Sequence, residues 1–287
     1  MSTFRFSAGF IGALALAACS AQPLAPHQPF ESDSPSSPVG TPSPPTGPQP
    51  NFIVTRGMNV VAEGGRAELS TIAFTRINEP NAYVLGLKQS EDVSSAAALK
   101  AINPVVARAW GTAVFGRKPG ATAIRALYYG REYDLPLVVV SPTELAETFA
   151  GTWRGVGVRY CTDLVGNTRS CYPNPIDGQP RLSNISVVLT LLSGSGVLTG
   201  SIEMGGSGGY TLLSGPAFGG VDQDGRLVIG GFVGESSHGS HSQLRDWRFE
   251  LSDTQLRGTS TTDKGFVNIY GPVLHRVTFT SITLTRQ

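Results

Sequence analysis

"ISVVLTLLSGSGVLTGSIEM", residues 185–204, decides the architecture. Its first half sets Ile185, Val187, Leu189 and Leu191 on alternate positions, the two-residue period of a strand with one apolar face. Ser193-Gly194-Ser195-Gly196 then supplies a turn, and "VLTGSIEM" returns. The same rhythm continues toward the C-terminus. "YTLLSG" precedes a glycine-rich bend, "DQDG" at 222–225 turns into "RLVIGGFVG", and "WRFEL" alternates Trp247, Phe249 and Leu251 before the turn Ser252-Asp253-Thr254-Gln255. The last run, "VTFTSITLTR", changes phase near Thr280-Ser281. A one-residue slip turns every following side chain to the other face, so a bulge is expected there. These runs fit an eight-stranded up-and-down barrel, which removes edge strands by closure.

Upstream, residues 51–140 also read as short strands: "FIVTRGMNVVAEGG", "RAELSTIAFT", "AYVLGL", "TAVFGR" and "TAIRALYYGREYDLPLVVV". Gly64-Gly65, Asn78-Glu79-Pro80 and Lys118-Pro119-Gly120 punctuate them, as in a β-sandwich. Ser90–Ala101, "SEDVSSAAALKA", is rich in alanine and is expected to be a short helix or a variable insertion. Between the two β regions, Ser141-Pro142-Thr143-Glu144 has the layout of a capping box, with Ser141 as N-cap of a short helix through about Phe149. The fold class is therefore all-β, with 35 glycines and few long helical periods in agreement.

Two resemblances sharpen this. Asn103-Pro104, Val106-Ala107, Gly116, Pro119-Gly120 and Ala123-Ile124 resemble the second half of bacterial immunoglobulin-like domains of group 2. That implies an Ig-like sandwich with no catalytic site, used as a spacer or an adhesive module. The short helix running into Phe149-x-Gly151-x-Trp153 resembles the opening of lipocalin-like barrels. In that group the helix closes one barrel end and the tryptophan plugs its base, and Arg286 is placed to cover Trp153. Avidin-like barrels share the rhythm, but with Trp153 and Trp247 alone in this region their several-tryptophan pocket has no counterpart.

The N-terminus has a different purpose. One basic residue, Arg5, precedes an apolar run from Phe10 to Ala18 that is too short to span a bilayer and has the layout of a secretory signal. Leu16-Ala17-Ala18-Cys19 resembles the lipobox of bacterial lipoproteins, which implies cleavage before Cys19 and its lipidation. Under enterobacteria-like lipoprotein sorting, which that resemblance brings in, Ser20 after the cysteine implies the outer membrane, on its periplasmic or surface face. Ten of the 20 prolines fall between Ser20 and Pro50, so this stretch is expected to be an extended, solvated tether. At roughly 3.1 Å per residue it reaches up to about 90 Å. The expected organisation is thus 1–18 signal peptide, 19–50 lipidated cysteine and linker, 51–140 Ig-like domain and 141–287 barrel.

With Cys19 claimed by lipid, Cys161 and Cys171 remain, and an exported chain meets an oxidising compartment. A structural disulfide across the short loop between them is expected, since zinc would need more ligands than two sulfurs. A formal net charge of +1, with 15% charged residues and no basic stripe, argues against nucleic acid.

Two local features invite chemistry. Gly205-Gly206-Ser207-Gly208-Gly209 satisfies Gly-x-Ser-x-Gly, but another strand follows where a nucleophile elbow needs a helix, so a hairpin loop is expected. His238-Gly239-Ser240-His241, with Glu235 and Asp246 nearby, reads as a polar loop without the rigid frame a metal site needs. No catalytic residue, cofactor or metal is assigned.

The leading expectation is a non-enzymatic, lipid-anchored envelope protein whose Ig-like stalk presents a β-barrel binding or adhesion module to a protein or glycan. The alternative is a calycin-like carrier of a small apolar ligand. Inward aromatics near a wide mouth favour the carrier; a filled core favours the module.

Overall fold

Period-two patterning across most of the chain produces two β bodies joined by a short helix. The computed structural model describes residues 49–79, 90–166, 171, 182–206, 213–235, 240–268 and 271–287. The signal, Cys19, the tether as far as residue 48 and the run "AYVLGL" lie outside the described residues.

The first body is a sandwich. Its strands are β1 (Phe52–Gly57), β2 (Val60–Ala62), β3 (Arg66–Phe74), β4 (Ser90–Asp92), β5 (Ala98–Ala101), β6 (Ala107–Trp110), β7 (Ala113–Gly116), β8 (Gly120–Tyr128) and β9 (Arg131–Val140). One sheet runs β1-β3-β7-β6 with β4 beside β3, and the other runs β2-β9-β8-β5. Ile53, Leu69, Val114, Ile124, Leu135 and Leu137 are buried in the core. Burying a side chain of this size contributes about 2 kcal/mol.

Two local expectations change. Ser90–Ala101 is not helical: β4 pairs with β3 and β5 pairs with β8. Sheet edges offered hydrogen-bond partners on both sides, and that pairing outweighs the modest helix preference of alanine. The run 122–140 divides into a hairpin at Tyr129 (φ 51°) and Gly130 (φ 72°). Positive φ at both central residues suits a two-residue hairpin turn, although no Asn-Gly marks it.

A 3-10 helix, Glu144–Phe149, follows. Its N-cap is Thr143, not Ser141: the Thr143 hydroxyl accepts from the Leu145 amide, while Ser141 Oγ reaches Glu63 instead. The tighter helix begins after Pro142, so the cap moves with it.

The second body is the closed antiparallel meander. Strands β10 (Gly151–Val165), β11 (Ser183–Gly194), β12 (Val197–Gly206), β13 (Leu213–Val221), β14 (Leu227–Glu235), β15 (Ser240–Ser252), β16 (Gln255–Asn268) and β17 (Gly271–Arg286) pair in sequence, and β17 closes on β10. The expected bulge is present: on both sides of β17 the register jumps between Phe279 and Ser281 or Ile282. Trp153, Leu189, Leu191, Leu198, Trp247, Phe249 and Phe279 fill the half of the barrel beside the helix. The Trp247 ring sits 5.4 Å from that of Phe279 and 6.1 Å from that of Phe249. Leu251, in phase with them, lies beyond this core and is 39% exposed. Among the described residues no helix is long and apolar enough to cross a membrane.

The sandwich lies against the outer wall of the barrel. Gly220, Gly230 and Gly265 make this possible. A Cβ on Gly230 would fall 2.6 Å from the Val60 nitrogen, one on Gly220 2.5 Å from Val140 Cγ2, and one on Gly265 2.9 Å from Phe74 Cζ. Polar groups lock the seam. Gln243 is wholly buried; its Oε1 accepts from the Gly57 amide (2.8 Å) and its Nε2 donates to the carbonyl of Gly231 (2.8 Å). Asn59 donates to the carbonyls of Pro136 and Arg245, both at 3.0 Å, and accepts from the Gly231 amide at 3.1 Å. Asp263, also fully buried, accepts from Arg245 (2.8 Å), Arg276 (2.7 Å) and the Tyr133 hydroxyl (2.9 Å). Burial, then the neighbouring Asp263 carboxylate, pushes the Tyr133 hydroxyl far above its ordinary range.

Candidate functional site

Above its apolar half, the barrel changes character. On β10 the positions in phase with Trp153 are Gly155, Gly157, Arg159, Cys161 and Asp163. On β17, His275 continues the inward series of Val277 and Phe279, and on β16 Lys264 and Phe266 continue that of Thr262. Backbone register then sets Asp163 opposite His275, and His275 opposite Lys264, across β10, β17 and β16. Two levels deeper, Arg159 and Ser260 flank Phe279.

His275 is buried, its ring edge-on to Phe266 at 5.1 Å and its Nδ1 3.4 Å from the Cys171 sulfur. Burial first, and Lys264 second, lower its pKa to about 4; Asp163 pulls the other way. The imidazole is therefore neutral at physiological pH. Lys264 Nζ lies 5.4 Å from the Phe266 ring centre. Arg159 is partly buried, which lowers its pKa, and among the described residues no carboxylate is paired with it. Ser260 Oγ, buried on the same level, has no hydrogen-bond partner. A guanidinium with no counter-ion among the described residues and an unsatisfied hydroxyl each carry a desolvation cost, which an anionic or polar occupant would offset.

The Cys161–Cys171 disulfide is formed, at a sequence separation of 10, and hangs at this same mouth. Ser207 and His238 lie outside the described residues. The strands flanking Ser207 pair antiparallel, Met204 opposite Leu213, which is the setting of a hairpin. His241 is the second residue of β15, its backbone opposite Gly234 and Gly265. Asp246 accepts from Arg248 at 2.7 Å.

A second concavity, of about 400 Å³, opens outside the barrel between Val138, Val140, Asp222, Gln223 and Arg248. Its polar groups serve one another: Asp222 accepts from the amides of Asp224 (3.0 Å) and Arg226 (2.9 Å) and pairs with Arg248 (3.4 Å). The mouth, whose Arg159 has no carboxylate partner among the described residues, is the better candidate site.

Sequence reasoning passed over Arg159, Asp163, Lys264 and His275. A signal existed in "RYCTD", where Arg159, Cys161 and Asp163 share one face of a strand. Compared with known proteins, the chain matches no protein-family model, no curated protein and no solved structure.

Proposed function

We propose that this is a non-enzymatic, lipid-anchored cell-envelope protein that binds its partner through the polar mouth of the barrel. The observation that carries the binding role is Arg159: a cation with no carboxylate paired with it among the described residues, held inside a barrel whose other half is already filled. An anionic group on a small molecule, a glycan or a protein side chain suits it, with Lys264 adding charge. The filled half speaks against the apolar carrier, because Trp153, Trp247, Phe249 and Phe279 occupy the space such a ligand would take. A lipocalin-like barrel and an Ig-like sandwich remain the family readings, supported by strand number, order and closure.

Anchoring rests on Leu16-Ala17-Ala18-Cys19. Cys19→Ala is expected to abolish acyl labelling and release the chain from the membrane fraction; unchanged labelling would refute the anchor. For the binding role, native mass spectrometry of the full chain extracted from its own envelope is the test. An anionic adduct, or a co-purifying protein or glycan, that is lost in Arg159→Met supports the mouth. Retention of the same partner by that variant would move the site elsewhere.

A further inference from the structure

The disulfide at the barrel mouth has two additional metal-ligating neighbours. The Cys171 sulfur, a ring nitrogen of His275 and a carboxylate oxygen of Asp163 all lie within 4.8 Å of one another, and Cys161 is bonded to Cys171. Two sulfurs alone would not hold zinc, but two sulfurs, an imidazole and a carboxylate make a full tetrahedral set. We propose that reduction of Cys161–Cys171 creates a zinc site of Cys161, Cys171, His275 and Asp163.

Several features favour this set. Cys161, Asp163 and His275 stand on adjacent, directly paired strands, so three of four ligands are fixed by the barrel wall before any metal arrives. Zinc–ligand bonds of about 2.0–2.3 Å put neighbouring ligand atoms about 3.5 Å apart. The 3.4 Å between Cys171 Sγ and His275 Nδ1 already matches that spacing. Charge also balances locally: two thiolates and one carboxylate around Zn2+ leave one negative charge, with Arg159 and Lys264 close enough to His275 to act on it electrostatically.

The chemistry closes without a hidden reactant. A dithiol reductant supplies two electrons and two protons; the S–S bond breaks, two cysteine thiols form, and the reductant becomes a disulfide. Zn2+ then displaces both thiol protons to solvent. With the bridge intact the two sulfurs are not thiolates, and the set falls to His275 and Asp163. The site is thus redox-gated, and it stands independently of what Arg159 binds.

The test uses the full chain, either oxidised or reduced with a water-soluble phosphine, titrated with Zn2+ and with Co2+ as a spectroscopic stand-in. The reduced chain is expected to take up one metal ion and to show a thiolate-to-cobalt charge-transfer band, while the oxidised chain takes up none. His275→Ala and Asp163→Asn should each weaken uptake roughly tenfold or more. Tryptophan fluorescence of the oxidised variants checks the fold, and Asp163→Asn carries the test if His275→Ala does not fold. No uptake by the reduced chain, equal uptake by the oxidised one, or unchanged affinity in a folded variant would overturn the assignment.

Discussion

The Arg286 guanidinium lies over the Trp153 ring, 4.6 Å from its centre, and donates to the carbonyls of Thr148 and Ala150. Trp153 in turn donates from Nε1 to the Phe149 carbonyl at 2.9 Å. The last residue of β17, the barrel's first strand β10 and the 3-10 helix are therefore tied at one point, which seals the barrel base. Arg286→Ala removes a partly exposed cation–π contact and the hydrogen bonds to the helix end. A loss of about 1 kcal/mol is expected. Denaturant unfolding followed by tryptophan fluorescence reads it, and an unchanged midpoint would show that the guanidinium only rests there.

Gln243→Leu should cost more, about 2–4 kcal/mol. Its side chain bridges Gly57 and Gly231, and leucine would leave the Gly57 N–H and the Gly231 carbonyl short of partners in a dry seam. Thermal unfolding of the variant beside the parent checks this. A near-neutral result would mean that water enters the seam.

Gly230→Ala and Gly234→Ala make a matched pair on one strand. At Gly230 the new methyl meets the Asn59 Oδ1 and Val60 nitrogen at 2.6 Å, whereas at Gly234 nothing lies within 4 Å. Only the first is expected to destabilise, by about 1–3 kcal/mol, because the opposing atoms include backbone that cannot swing aside. Equal midpoints for the two variants would contradict the close approach.

Tyr133 predicts an alkaline limb. Its folded-state pKa is raised, chiefly by burial, so above about pH 10 the unfolded chain releases the phenol proton while the folded chain keeps it. The folded state then holds more protons, and stability falls as pH rises, by about 1.4 kcal/mol per pH unit for one group. Below the unfolded pKa the contribution is intact. In Tyr133→Phe the alkaline limb should be shallower by one proton; identical slopes would assign the limb to other tyrosines.

Breaking the Cys161–Cys171 bridge removes a closed loop of 10 residues' separation. Cys161→Ser with Cys171→Ser is expected to lower stability by about 2–3 kcal/mol. A calorimetric comparison in the absence of metal measures it, and a change below the noise would mean that the unfolded chain is already constrained there.

Legibility divided along local and non-local lines. The hairpin at 193–196, the turn at 222–225 and the bulge beside Thr280 were readable because each is written in neighbouring residues or in a strand period; the pairing of Trp153 with Arg286 was expected only from the resemblance to lipocalin-like barrels. Gln243 and Asp263 were not. Each occupies the outward phase of a barrel strand, where a polar residue ordinarily meets water, and only the arrival of the sandwich turns that wall inward. His275 escaped notice for the complementary reason: a lone histidine in a β run carries no signal until Asp163 and Cys171, more than a hundred positions earlier, are brought beside it. The alanine-rich Ser90–Ala101 misled because its local preference was weak and the pairing that overruled it was distant.

The three wall glycines, Gly220, Gly230 and Gly265, bring the main chain of the barrel wall directly onto Val140, Val60 and Phe74 of the sandwich. In hydrodynamic terms sandwich and barrel turn as a single rotor. A contact that orients the barrel mouth also fixes the azimuth of the sandwich, and a torque on either body passes to the other without slack.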